Sequence, residues 1–176
     1  MDNRIDKIKE IVEQRLSCSA HSLDHVYRVY KLTKLLAESE ANVDMSVLEP
    51  AVLLHDIARV EESEDSTGET DHAVLGSIRA EEILKELGYE LGQIEAIKHC
   101  ILTHRFRTGN EPKSIEAKIL YDADKLDALG AVGIARCFMI SGRYGQRLAG
   151  KTMDHGENMG ENGRIKDLSR HTPYME

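Results

Sequence analysis

The chain has 176 residues, 41% of them hydrophobic, with 23 basic against 31 acidic side chains and a net charge of −8. That content suits one folded core and excludes a disordered tail, and no apolar run approaches the ~20 residues of a membrane span. An acidic protein with two Phe and no Trp is unsuited to broad nucleic-acid or anionic-membrane binding. The cysteines, Cys18, Cys100 and Cys137, include no C-x-x-C pair, so neither a disulfide framework nor a zinc knuckle is expected. Met1 to Glu13 lacks the apolar segment of a secretory signal, and the expected location is the cytoplasm.

Apolar residues recur at helical spacing almost throughout, and strand-like alternation is scarce. Ile5, Ile8, Ile11, Val12 and Leu16 predict a first amphipathic helix. Val26, Val29, Leu32, Leu35 and Leu36 predict a second, capped by Ser19 or Ser22. A third, very apolar helix is expected over Val47 to Ala58, with Pro50 in its first turn, where proline is tolerated. Arg59 to Thr70 is polar and is expected to be an exposed loop, with Glu61, Glu62, Glu64 and Asp65 available as a general acid or base.

Asp71 can cap a fourth helix that carries Val74, Ile78, Ile83, Leu84 and Leu87 and stops at Gly88. Ile94, Ile97, Ile101 and Leu102 mark a fifth. After a turn with Gly109 and Pro112, Ser114 opens a sixth, extending to Leu129 and burying Ile119, Leu120, Ala123 and Leu126. A seventh, small and apolar, runs from Ala131 to Ile140. The expected organisation is a single all-α domain over residues 1–141, followed by a polar Gly- and Asn-rich segment, 142–176, that is irregular.

The residues that carry chemistry fall on these apolar faces. His25 lies on the second helix, His55 and Asp56 end the most apolar one, and Asp124 sits among Ile119, Leu120 and Ala123. Buried imidazoles and carboxylates are costly unless they are paired, hydrogen-bonded or bound to metal. Two of each, converging from three helices, would supply four ligands to a divalent ion, as helical bundles do. Histidine with carboxylate suits Mn, Fe, Ni, Co or Zn and, less well, Mg.

The words around these residues sharpen the pattern: His25-Val-Tyr-Arg28, Leu53-Leu54-His55-Asp56-Ile57-Ala58, His104-Arg105 and Asp122-Ala-Asp124-Lys125-Leu126-Asp127. From His21 to Arg136 the chain resembles the HD-domain metal-dependent phosphohydrolase superfamily, in particular its small single-domain bacterial and archaeal members. The resemblance implies an HD-domain-like helical bundle that hydrolyses phosphate esters or anhydrides, commonly of nucleotides. His25, His55, Asp56 and Asp124 would then hold the cation, one ion being favoured over two. Asp56 would also serve as the base, with His72 and His104 approaching the substrate or the attacking water. Arg28, Arg105 and Lys125 would bind phosphate oxygens. The alternatives are a phosphodiesterase of a cyclic or signalling nucleotide and a nucleotide-binding sensor without turnover. Small members of that family commonly continue with further helix where this sequence has its polar stretch, so either the tail is a reduced version or a partner subunit supplies the helix, and a homodimer is expected.

Each residue also has a plainer explanation. A lone His25 would be a core histidine bonded to a carbonyl, and Asp124 could pair with Lys125 or Arg136. Asp122 and Asp127 are expected to face water, His99 to be structural or at the surface, and His21 to be solvated. His155 and His171 lie in the polar tail.

Overall fold

The computed structural model describes residues 3–16, 23–105 and 109–143. Among them are eight helices and no strand: α1 (Asn3–Arg15), α2 (Leu23–Ala37), α3 (Met45–Leu54), α4 (Arg59–Glu64), α5 (His72–Glu86), α6 (Leu91–Thr103), α7 (Ile115–Leu126) and α8 (Gly130–Arg143). The expected caps at Ser19 and Ser22, together with Cys18, His21, His155, His171 and the segment beyond Arg143, lie outside the described residues.

The apolar helix α3 is the centre of the bundle. Seven of its residues are buried, from Val47 to Leu54, and it packs against α1, α2, α6 and α7. Burying Leu48, Leu53 and Leu54 alone removes three large side chains from water, at about 1.5–3 kcal/mol each. α5 pairs with α6, and α2 with α7, so the ends of α3, α6 and α7 meet the start of α2 and of α5. Asp71 caps α5 by accepting from the Ala73 and Val74 amides, and Ser114 caps α7 by accepting from Ala117. Gly88, with φ of 72°, turns the chain out of α5 in a conformation costly for any side chain with a Cβ.

Several sequence expectations need correction. α3 begins at Met45 because Asp44 accepts from the Ser46 amide, which puts Pro50 at the sixth helical position, past the first turn. It ends at Leu54, and four turn residues carry the chain into α4, so Arg59 to Glu64 is helical where a loop was expected. α7 stops at Leu126 instead of Leu129, and α8 runs from Gly130 to Arg143, three residues past the expected Ile140.

The buried face of α5 also differs from expectation: it is His72, Ala73, Gly76, Ser77, Ala80, Ile83 and Leu84. Val74 and Ile78 are about half exposed, and Leu35 and Leu126 are likewise turned outward. Small residues let α5 lie close on α6, and the stripe they form at i, i+3 and i+4 spacing begins with His72. The same stripe that packs the helix therefore points an imidazole inward. α8 is outside the extensively packed pairs and leaves Val132, Ile134, Phe138 and Met139 exposed.

Candidate metal centre

Four imidazoles meet where these helix ends converge. His25 comes from the first turn of α2, His55 directly follows α3, His72 opens α5 and His104 directly follows α6. All four are buried, and all turn Nε2 toward one another and toward Asp56. His55 Nε2 is 3.4 Å from His25 Nε2, and His72 Nε2 is 3.2 Å from His104 Nε2. Asp56 lies between the pairs, its Oδ2 3.6 Å from His25 Nε2 and its Oδ1 3.4 Å from His72 Nε2. Asp124, from the last turn of α7, places Oδ1 3.3 Å from His25 Nε2.

Local structure sets two of these rings outright. His55 Nδ1 lies 2.6 Å from the Val52 carbonyl and His104 Nδ1 2.5 Å from that of Ile101. A carbonyl can only accept, so both Nδ1 atoms carry hydrogen, and it is Nε2 that each ring turns inward. Burial, above all, pushes the His55 pKa down to about 4, so this imidazole is neutral at ordinary pH. Burial also lowers that of His72, although Glu62 and Asp56 oppose the shift.

The carboxylates are held ionised. Burial works against the charge of Asp56, yet His55, His104, Arg59 and His72 around it bring its pKa well below the usual range. Asp124 is lowered in the same way, against its burial, by the hydrogen bond to His25 and by its neighbours His55 and Lys125. His25 is raised: burial opposes protonation, but Asp124 and Asp56 outweigh it.

Inward lone pairs and buried anions, with few donors among them, are a costly arrangement that a cation relieves. Two groups of described residues could each hold a metal ion: His25, His55 and Asp56, and Asp56, His72 and His104. Imidazole nitrogen with carboxylate oxygen is a donor set for Mn, Fe, Co, Ni or Zn, and for Mg with less preference. Of the four expected ligands, His25, His55 and Asp56 form one group and Asp124 touches it through His25. His72 and His104 share Asp56 with that group and with it form the second group that could hold an ion.

The expected phosphate-binding residues divide. Arg105 and Lys125 line a cavity of about 620 Å³ above the histidines, together with Arg59 and Arg136. Lys125 Nζ donates to the His104 carbonyl (2.7 Å) and to Asp124 Oδ2 (2.8 Å), and Arg105 Nη1 to Glu62 Oε1 (2.7 Å). Arg28 turns elsewhere: its Nε and Nη2 donate to Asp127 at 2.6 and 3.1 Å, and it lines a separate surface cavity with Tyr27 and Tyr30.

Among the acidic residues after the His-Asp pair, the structure selects Glu62. Its Oε2 lies 2.9 Å from His72 Nδ1, with Arg59 Nη1 2.7 Å from the same nitrogen. Burial opposes its charge, but His72, Arg59 and Arg105 hold the Glu62 pKa at about 2, so it is ionised and has no proton to give as an acid. Asp65 instead folds the following turn by accepting from Thr67 and Thr70. His99 is turned away and accepts from the Lys113 amide at 3.1 Å, a structural role as expected.

Asp127 does not face water. It is 5% exposed and accepts from Arg28 and from Arg136 Nη1 (2.6 Å), while its Oδ2 lies 2.7 Å from His25 Nδ1. Burial opposes its charge, and the hydrogen bonds from Arg28 and His25 win, lowering its pKa. The usable sequence signal was its spacing: three residues after Asp124 at a helix end puts both carboxylates on one face.

The model of the HD domain family matches residues 22–129, which contain all four histidines and both carboxylates. This chain belongs to the HD-domain family. The HD-domain chain is 35% identical over 136 residues to YpgQ of Bacillus subtilis, covering 75% of this sequence and 62% of that one. It thus spans about three fifths of the length of that relative. The solved structure of YpgQ in complex with ADP has 33% identity and a TM-score of 0.66, covering 85% of this chain and 72% of that one. An HD-superfamily hydrolase from Bacillus thuringiensis has 32% identity and a TM-score of 0.63, with 86% and 72% covered. The 3'-5' exoribonuclease YhaM of Bacillus velezensis is 31% identical over 116 residues, 59% of this chain but 37% of its own. Fold and family thus agree with the all-helical architecture, and with the hydrolase class of its relatives. Among the described residues no helix is long and apolar enough to cross a membrane.

Proposed function

We propose that this HD-domain protein hydrolyses a phosphate ester or anhydride of a nucleotide, with a divalent cation held by His25, His55, Asp56 and Asp124. The observation that carries it is the convergence of imidazole Nε2 atoms and two ionised carboxylates at the base of a cavity rimmed by Arg59, Arg105, Lys125 and Arg136. A cation bound there activates water and neutralises charge on a phosphoryl group.

The chain's own residues supply the rest. Lys125, anchored between the His104 carbonyl and Asp124, holds its ammonium at the cavity wall, where it can meet a phosphate oxygen. Arg105 and Arg59 bring guanidinium groups from the other side, steadied by Glu62. Guanidinium groups suit the paired oxygens of a phosphate better than a point charge does. Asp56 has imidazole nitrogens beside both of its oxygens, which favours a place as a ligand shared by the two groups, and by its adjacency to the cation it is also the residue proposed as the base. The cavity volume is within the range that encloses most of a nucleotide-sized ligand. The ADP bound by YpgQ and the exoribonuclease activity named for YhaM both favour nucleotides as the substrate class.

The test is a hydrolysis matrix of Mn, Mg, Fe, Ni, Co and Zn against nucleoside mono-, di- and triphosphates, cyclic nucleotides and short RNA, with products resolved by chromatography. Cation-dependent release of inorganic phosphate, absent in Asp56→Ala, is expected. Release of a nucleoside monophosphate from a cyclic nucleotide or RNA would replace this reading with a phosphodiesterase. Tight nucleotide binding without turnover under every cation would replace it with a sensor.

A further inference from the structure

Three of the buried histidines have a partner for Nδ1 close in sequence, and His25 does not. His55 and His104 each use the carbonyl three residues back, and His72 uses Glu62, ten residues back. His25 is the third residue of α2, and among the described residues its Nδ1 meets no backbone carbonyl. Its Nδ1 instead meets a side chain 102 residues away, Asp127 at the end of α7.

We propose that Asp127 is a positioning residue that fixes the neutral imidazole of His25 as the tautomer protonated on Nδ1. This rests on the cation site proposed above. The Nε2 lone pair is then left facing Asp56, Asp124 and His55. Two groups compete for Nδ1: Asp127 Oδ2 at 2.7 Å, which can only accept, and Arg136 Nη1 at 3.0 Å, which can only donate. Arg136 already donates to Asp127 Oδ2 at 2.6 Å, so it has no need of the ring nitrogen. A lone pair on Nδ1 would face the carboxylate oxygen across a hydrogen-bond distance, an arrangement that a proton between them removes. Without the carboxylate, Arg136 would become the neighbour of Nδ1 and would favour the opposite tautomer, with a proton on Nε2 inside the cluster.

Asp127 is suited to this task because its charge is balanced locally. Arg28 holds Oδ1 at 2.6 Å and Arg136 holds Oδ2, so the buried carboxylate keeps its place without turning toward the cation site. It lies on the Nδ1 side of the ring, away from the Nε2 atoms, and reaches the cation site through His25. Outer partners of this kind orient a ligating histidine and raise its basicity, and losing one typically costs about 10–100-fold in metal affinity.

The test uses the full chain, free of metal, with 15N-labelled histidine, at the alkaline end of a pH series, past the point where the His25 15N shifts stop moving and the ring is neutral. Long-range 1H–15N correlations report which nitrogen of His25 carries hydrogen, the signal being assigned by its absence in His25→Gln. Wild type is expected to show Nδ1–H. Asp127→Ala is expected to move the proton to Nε2 and to weaken Mn(II) binding about 10–100-fold by calorimetry. Asp127→Asn keeps an acceptor oxygen and should restore part of both, while Asp122→Asn, on the exposed face of α7, should match wild type. Wild-type His25 protonated on Nε2 would overturn the assignment whether or not the variants fold. So would a folded Asp127→Ala that keeps both the Nδ1–H signature and the affinity. Should wild type bind no Mn(II), the cation site itself fails, while the tautomer spectra still decide the role of Asp127.

Discussion

His55 Nε2 lies 3.4 Å from His25 Nε2, across 30 residues of sequence and between two packed helices. Two imidazole nitrogens at that separation are stable with a proton between them or with a shared cation beside them. The His55 ring has already committed its Nδ1 hydrogen to Val52 and is neutral, so the competition between proton and cation falls on His25.

A pH dependence follows from that competition. The pKa of His25 is raised, against its burial, by Asp124 and Asp56, so in the cation-free protein it keeps its proton to a pH above the ordinary 6.5. A cation must displace this proton. Affinity is therefore expected to be constant well above the raised pKa and to fall by about tenfold for each pH unit below it. Calorimetric titrations with Mn(II) from pH 6 to pH 9 check this, and proton release that shrinks as pH rises should accompany the change.

The two donor groups share Asp56, and single variants separate them. His25→Ala is expected to lose the tightly held cation, while His72→Ala retains it. Elemental analysis of the purified variants reads this directly. Two ions per chain in wild type, both lost in His72→Ala, would mean that the two groups act only as one dinuclear site.

Gly133 and Gly76 should respond oppositely to alanine. A Cβ at Gly133 would collide with the Ala128 carbonyl oxygen, so the first turns of α8 must shift, and with them Arg136. A cost of about 1–3 kcal/mol or a displaced α8 is expected. A Cβ at Gly76 meets the His55 carbonyl at 3.6 Å, ordinary contact, and Gly76→Ala should be neutral or stabilising by up to about 1 kcal/mol. Thermal unfolding of both variants compares them.

Thiol chemistry separates Cys100 from Cys137. Burial pushes the Cys100 pKa up to about 12, so at pH 8 only about one molecule in ten thousand carries the thiolate. Cys137 is exposed on α8. Iodoacetamide at pH 8 should label Cys137 in the native protein and Cys100 only after denaturation, as read by peptide mass spectrometry.

What the sequence made legible was local. The caps at Asp71 and Ser114, the apolar run of α3 and the His55-Asp56 pair at its end are all set by neighbours within a few residues. What it hid was the outcome of long-range pairing. Asp127 reads as a solvated helix-end carboxylate, and only the packing of α2 on α7 shows that Arg28, 99 residues away, and His25 bury it. The same contact takes Arg28 out of the cavity where phosphate binding was expected. Val74 and Ile78 look like core residues by composition, but the tight approach of α5 to α6 selects the face bearing Gly76, Ser77 and Ala80. Side-chain size decided that face, and hydrophobicity alone could not show it.

Calorimetric titration of the metal-free chain with Mn(II), beside Asp56→Ala, bears most directly on the central claim, since Asp56 belongs to both donor groups. Saturable binding to wild type that disappears in the folded variant is the predicted result. No binding to wild type, or equal binding to both proteins, would contradict it.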